Sequence, residues 1–184
     1  MKVIETSIDG LLIIEPVVYG DNRGFFLETY NAARYREMGI VAEFVQDNLS
    51  RSRRGVLRGL HFQKPMEQGK LVQVLEGVVY DVAVDVRCGS PTFGKWEAVE
   101  LSENNKRQFY IPPGFAHGFL VLSESALFNY KCTDFYNPQG ECSIAWNDPL
   151  LSIPWPEDVP ELSEKDMKGR NLMAFSDEEL PVYE

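Results

Sequence analysis

Short runs rich in Val, Ile, Phe and Tyr recur along most of the chain, and Gly, Pro or Asn closes nearly every one. Alternation or brief apolar continuity predicts strands at Leu11–Ile14, Phe25–Tyr30, Phe44–Ser50, Val56–Gln63, Lys70–Glu76 and Val78–Arg87. The same pattern continues at Trp96–Leu101, Gln108–Ile111, Gly118–Leu122, Ala126–Thr133 and Cys142–Trp146. Turn chemistry separates them, as in Gly20-Asp21-Asn22, Gly89-Ser90-Pro91, Pro112-Pro113-Gly114 and Asn137-Pro138-Gln139-Gly140. One helix is predicted over Asn31–Met38, with Asn31 as its N-cap and Gly39 just past its end. Many short strands and little helix predict an all-β sandwich, jelly roll or barrel.

The pattern breaks after Pro149. Pro154, Pro156 and Pro160 predict an irregular segment, about 150–184, that runs over the surface to a short acidic end. No repeat and no linker divides the 184 residues, so the expectation is one domain over 1–184.

Charge narrows the partners. Lys and Arg number 18 against 28 Asp and Glu, a net of −10, which argues against nucleic acid and anionic membrane surfaces as partners. No apolar run approaches the roughly 20 residues that cross a bilayer. The N-terminus meets Glu5 and Asp9 too soon for a signal-peptide core. Cys88, Cys132 and Cys142 are odd in number and far apart. Together these features predict a cytoplasmic protein without a structural disulfide. Against the acidic background, Arg51, Arg53, Arg54 and Arg58 crowd into eight residues. Such a cluster is either a solvated basic surface or a pocket for a small polyanion such as a diphosphate.

Histidine is scarce, only His61 and His117. Strict alternation puts Arg58 and His61 on opposite faces of their strand, and Gly59 between them is where a bulge would bring both into one cavity. The stretch Pro112-x-Gly114-x-x-His117 resembles a motif of the cupin superfamily of jelly rolls. In metal-binding cupins the companion motif would place His61, Gln63 and Glu67 with His117 around an ion, with Gln63 where a second histidine is usual.

A longer series of motifs points elsewhere. Gly20-Asp-Asn-Arg23-Gly-Phe-Phe-Leu-Glu28, Gln46-Asp47-Asn48 and Arg58-Gly-Leu-His61-Phe-Gln come first. Gly69-Lys70-Leu-Val, Asn129-Tyr130-Lys-Cys-Thr-Asp-Phe-Tyr136 and Leu162-Ser-Glu-Lys165-Asp166 follow in the same order. Together they resemble the dTDP-4-dehydrorhamnose 3,5-epimerase family, over about residues 1–170. The resemblance implies a cupin jelly roll that works as a homodimer without metal or cofactor. It implies a dTDP-4-keto-6-deoxy sugar as substrate, inverted at C3 and C5 in the third step of dTDP-L-rhamnose formation, which supplies cell-surface polysaccharide. Carried onto this chain, His61 paired with Asp166 is the base, Tyr130 the acid and Lys70 the group at the C4 oxygen. Arg23, Glu28, Gln46, Asp47, Asn48, Arg58, His117, Glu141 and Lys165 are the implied substrate contacts, and Tyr136 the stacking partner of the thymine. Relatives that epimerise one carbon only share this catalytic set, and a metal-dependent or purely sugar-binding cupin is the alternative.

Residue chemistry supports the same roles. Removing a proton beside a ketone needs a base that is neutral near pH 7, which histidine supplies. A carboxylate on its far nitrogen fixes the tautomer. The enolate oxygen needs a donor, and inversion needs a second proton source, for which a tyrosine hydroxyl is suited. Taken singly, Tyr130 and Tyr136 are ordinary strand aromatics, and Lys70 and Asp166 ordinary solvated charges; only their joint occurrence singles them out.

Overall fold

Alternation with a period of two builds two antiparallel sheets that face each other, in a computed structural model that describes residues 1–183. Glu184, the last acid of the terminal segment, lies outside the described residues. The larger sheet has the order β1 (Lys2–Glu5), β2 (Leu12–Glu15), β10 (Gln108–Ile111), β7 (Lys70–Glu76), β12 (Ser125–Cys132) and β5 (Gln46–Arg53). The smaller has the order β13 (Glu141–Ser143), β6 (Leu57–Gln63), β11 (Phe115–Val121), β8 (Val78–Asp85) and β9 (Trp96–Ser102). A separate hairpin pairs β3 (Val18–Asp21) with β4 (Gly24–Leu27). This is the all-β class that the strand pattern predicts, in the jelly-roll form that the family resemblance implies.

Three apolar layers hold it. Between the sheets, Val72, Val74, Phe109 and Phe128 meet Val79, Leu101, Phe119 and Val121. On the outer face of the larger sheet, the helix α1 (Ala32–Glu37) and the loop after it cover Ile14, Leu71 and Tyr110 with Tyr35 and Ile40. Asn31 caps α1 as expected, its side chain accepting from the Arg34 amide, and Gly39 leaves the helix at φ +90°. On the outer face of the smaller sheet, Leu151, Ile153, Leu172 and Phe175 pack on Leu60, Phe62, Val82 and Val84. The irregular C-terminal segment therefore covers a sheet, its helical elements among the described residues being short 3-10 turns at Asp166–Lys168 and Leu172–Ala174. Its path, stitched by Val56–Glu161 and Ile144–Arg170 bridges, carries residues 161–166 to one end of the sandwich.

Several boundaries differ from expectation for physical reasons. The strand predicted over Phe44–Ser50 starts at Gln46 and runs on to Arg53, because Ser52 continues the inward alternation while Arg51 and Arg53 point out. The strand predicted from Gly118 begins at Phe115, directly after the Pro-Pro-Gly turn. The segments predicted as Phe25–Tyr30 and Cys142–Trp146 shorten to Gly24–Leu27 and Glu141–Ser143. Strands β1 and β3 were not expected, and every residue of β3 is exposed, so no inward stripe marks it in the sequence.

Candidate active site

The inward faces stop being apolar at one end of the sandwich. Along β7 the inward positions read Val74, Val72, Lys70, and along β12 they read Phe128, Tyr130, Cys132. A cavity of about 590 Å³ opens there, between the sheets and beneath residues 161–166.

The junction of β6 and β11 decides how that cavity is lined. His117 pairs with His61, but Phe119 pairs with Arg58, so β6 holds one extra residue between the two pairs. This bulge, at the position where Gly59 allowed one, puts Arg58 and His61 on the same cavity wall. Gly59 sits at φ +125°, and a Cβ there would fall 2.5 Å from Gly118 Cα and 2.8 Å from the His117 carbonyl oxygen. Two glycines back to back let the strands approach.

Each histidine is held by an acid. His61 Nε2–H donates to Asp166 Oδ1 at 2.5 Å, which leaves Nδ1 with the lone pair. Asp166 is only 4% exposed, and its other oxygen accepts from the Ser163 hydroxyl at 2.7 Å. Burial by itself would raise the Asp166 carboxyl, but the hydrogen bonds from His61 and Ser163 outweigh it and hold the group below its usual range. His117 donates Nε2–H to both oxygens of the fully buried Asp81, at 3.0 Å each. Burial lowers His117 against the pull of Asp81, with Lys70 and His61 adding to the lowering, which favours a neutral ring.

Lys70 and Tyr130 face the same space. Lys70 is 8% exposed and, among the described residues, its ammonium has neither an ion pair nor a side-chain hydrogen bond. Burial pushes it down from the usual lysine range, opposed by Cys132, Asp81 and Glu141. Burial raises the Tyr130 phenol, so the hydroxyl holds its proton at neutral pH. Phe119 and Phe128, stacked at 4.1 Å, form the apolar floor between them and His117.

At the mouth, Glu141 accepts from Lys165 at 2.7 Å and from the Tyr136 hydroxyl at 2.8 Å. Gln46 and Asn48 point inward from β5 and bond to each other at 3.1 Å. The remaining expected contacts lie elsewhere in this chain. Asp47, between them in an alternating strand, points outward and pairs with Lys131 at 2.9 Å. Arg23 stands on the β3–β4 hairpin and pairs with Asp21, while Glu28 pairs with Arg34. Of the arginine cluster only Arg58 lines the cavity; Arg51 pairs with Glu76 in solvent, and Arg53 turns outward to pair with Glu161 of the covering segment.

The metal-ligand reading of His61, Gln63, Glu67 and His117 does not assemble. Both histidines give Nε2 to carboxylates, and Gln63 is used at both ends. Its carbonyl accepts from the Asn137 amide, and its amino group donates to the Met66 and Phe135 carbonyls. Among the described residues no three His, Cys, Asp or Glu side chains gather as a metal site requires.

Sequence reasoning did not single out Asp81, Ser163, Gln68, Phe119 or Phe128, all of which line the cavity or brace its histidines. Asp81 alone left a usable signal, an acid in the inward register of a strand that is otherwise apolar, apart from Tyr80, until it ends at Asp85.

This geometry has close counterparts. A sequence model of dTDP-4-dehydrorhamnose 3,5-epimerase matches residues 5–174. An enzyme of that name from Pseudomonas aeruginosa is 56% identical over 96% of this chain and 97% of its own. A dTDP-6-deoxy-D-glucose-3,5-epimerase from Legionella pneumophila, solved with dTDP-4-keto-L-rhamnose, is 58% identical, with a TM-score of 0.97 over 100% of this chain and 98% of its own. A 3'-monoepimerase from Streptomyces bikiniensis, solved with dTDP-quinovose, is 36% identical at a TM-score of 0.89, covering 97% of this chain and 92% of its own. By sequence along nearly its whole length and by fold, the chain belongs to the dTDP-4-dehydrorhamnose 3,5-epimerase family.

Proposed function

We propose that this protein inverts C3 and C5 of dTDP-4-dehydro-6-deoxy-D-glucose to give dTDP-4-dehydro-L-rhamnose. The observation that carries the reading is one cavity lined by the His61–Asp166 pair, buried Lys70 and Tyr130. C3 and C5 both flank the C4 ketone, so each C–H bond is acidified by the same carbonyl. His61 Nδ1 removes the proton, and Asp166 stabilises the imidazolium that forms. Lys70 donates to the C4 oxygen as it takes on enolate charge in a site shielded from water. Tyr130 then delivers a proton to the other face of the carbon. His61 releases its proton and Tyr130 regains one before the second centre reacts. Arg58 and Lys165 hold the diphosphate, Gln46, Asn48, His117 and Glu141 orient the sugar nucleotide, and Tyr136 stacks on the thymine.

NMR of the protein with that keto sugar in heavy water tests the reading. Deuterium at C3 and C5 with an L-rhamno product is the expected result. Exchange at one carbon only supports the second reading, a single-site epimerase, which the likeness to a 3'-monoepimerase keeps in play. No exchange at either carbon overturns both.

We infer that residues 1–184 act as one domain and that two chains form a homodimer. The hairpin supports this, because Tyr19, Phe25 and Phe26 are 63%, 60% and 68% exposed on it, an apolar surface suited to a partner. In that arrangement each hairpin brings Arg23, followed by Glu28, toward the other chain's cavity. Sedimentation at micromolar concentration should give twice the mass of one chain, and a monomer there overturns the inference. Three free cysteines fit a cytoplasmic setting.

A further inference from the structure

Ser163 precedes Asp166 by three positions and lines the same cavity. Its Oγ accepts from the Asp166 backbone N–H at 3.1 Å and donates to Asp166 Oδ2 at 2.7 Å. The Ser163 carbonyl also accepts from the Met167 N–H at 3.0 Å, which closes the turn from which Asp166 projects. The first of these bonds fixes the hydroxyl oxygen and the second consumes its hydrogen. Asp166 therefore has one oxygen on Ser163 and the other on His61.

Resting on the epimerase reading above, we propose that Ser163 is a positioning residue that sets the strength of the catalytic base through Asp166. A hydrogen bond to one carboxylate oxygen draws charge away from the other. With Ser163 in place, one Asp166 oxygen shares its charge with the hydroxyl while the other orients the His61 ring. Without the hydroxyl, more negative charge falls on Oδ1, and the imidazolium gains. The carboxylate also loses the bond that keeps its plane aligned with Nε2. The other titratable and charged groups lining the cavity with the pair are Lys165 and Glu161 on the covering segment, Glu141 on β13, Arg58 on β6, His117 on β11, Lys70 on β7 and Tyr130 on β12, and Ser163→Ala leaves all of these side chains in place.

The test is Ser163→Ala beside Ser163→Thr, followed in two ways. In the protein without substrate, nitrogen-15 NMR of the two histidines should show the His61 ring of Ser163→Ala titrating at higher pH than in the parent. With substrate, the acid limb of kcat/KM should move to higher pH in the same direction. At neutral pH kcat should fall about 10-fold with KM little changed, the scale of losing one hydrogen bond to a charged group. Ser163→Thr keeps the hydroxyl and should restore both. An unshifted His61 titration in a folded Ser163→Ala protein overturns the proposal, and so does a rise in KM with an unmoved acid limb, which makes Ser163 a substrate ligand. Should the parent itself lack epimerase activity, the reading of the function fails, while the substrate-free titration still decides the Ser163–Asp166–His61 coupling.

Discussion

His61 on β6 and Tyr130 on β12 line one cavity from different sheets of the sandwich. For an inversion this matters more than the presence of either residue. A sugar pinned by its nucleotide does not turn over, so one group removes the proton and another, on a different wall, returns one.

Two substitutions separate those halves. His61→Asn should abolish hydrogen exchange with heavy water as well as inversion, since no base of suitable strength remains. Tyr130→Phe keeps the base and the Lys70-stabilised enolate, so it should still exchange while inversion falls by a larger factor, within the 10²–10⁴-fold that general acid–base groups typically contribute. Equal loss of both rates in Tyr130→Phe, read by NMR, makes the tyrosine a positioning group instead.

Arg58 is the one arginine of its cluster on the cavity wall, steadied by a 2.9 Å bond from Nε to the Ser52 hydroxyl. Arg58→Ala should weaken dTDP binding by about 10- to 100-fold, the scale of a charge-assisted hydrogen bond. Calorimetry at rising salt should also show a shallower dependence than in the parent. Unchanged affinity removes Arg58 from the diphosphate site.

At Gly59 the back-to-back contact with Gly118 leaves no room for a methyl group. Gly59→Ala should destabilise the fold by roughly 3 kcal/mol, from a left-handed backbone and a forced strand separation together. For a chain of this size that lowers Tm by about 10 °C. Activity should fall further than the folded fraction measured by circular dichroism, because β6 and β11 carry His61 and His117.

Asp85 gives a pH prediction. It is fully buried, and its carboxylate accepts from Arg87, Ser90 and Thr92. Burial alone would raise it, but those bonds outweigh burial and hold it below the usual range. A depressed folded value means that its stabilisation is complete above the unfolded carboxylate value near 3.9 and is lost as pH falls through the lower folded one. Asp85→Asn should therefore cost about 3 kcal/mol at neutral pH, where it leaves Arg87 without its partner. The gap in Tm between parent and variant should narrow on acidification below about pH 4. A constant gap contradicts the assignment.

Much of this molecule is decided within a few residues along the chain. Strands Lys70–Glu76 and Gln108–Ile111 coincide with their apolar runs, and the cap at Asn31 and the exit at Gly39 bound the helix. Alternation also places Gln46 and Asn48 on one face of β5, and by the same rule turns Asp47 to the other, although a shared motif groups all three. Those outcomes follow from backbone geometry and side-chain burial over short distances, which a sequence carries openly. The proposed catalytic pair is of another kind. His61 and Asp166 are separated by 105 positions, and they meet only because Leu172, Phe175 and their neighbours pack on the outer face of the smaller sheet and draw residues 161–166 over the cavity. Whether Arg58 shares a wall with His61 depends on one extra residue in β6, and glycine permits that bulge without requiring it. Asp81 and Ser163 gain their roles from the histidine and carboxylate that folding sets beside them. Such contacts are selected by the packing of whole sheets, a long-range free energy to which no local stretch of sequence corresponds.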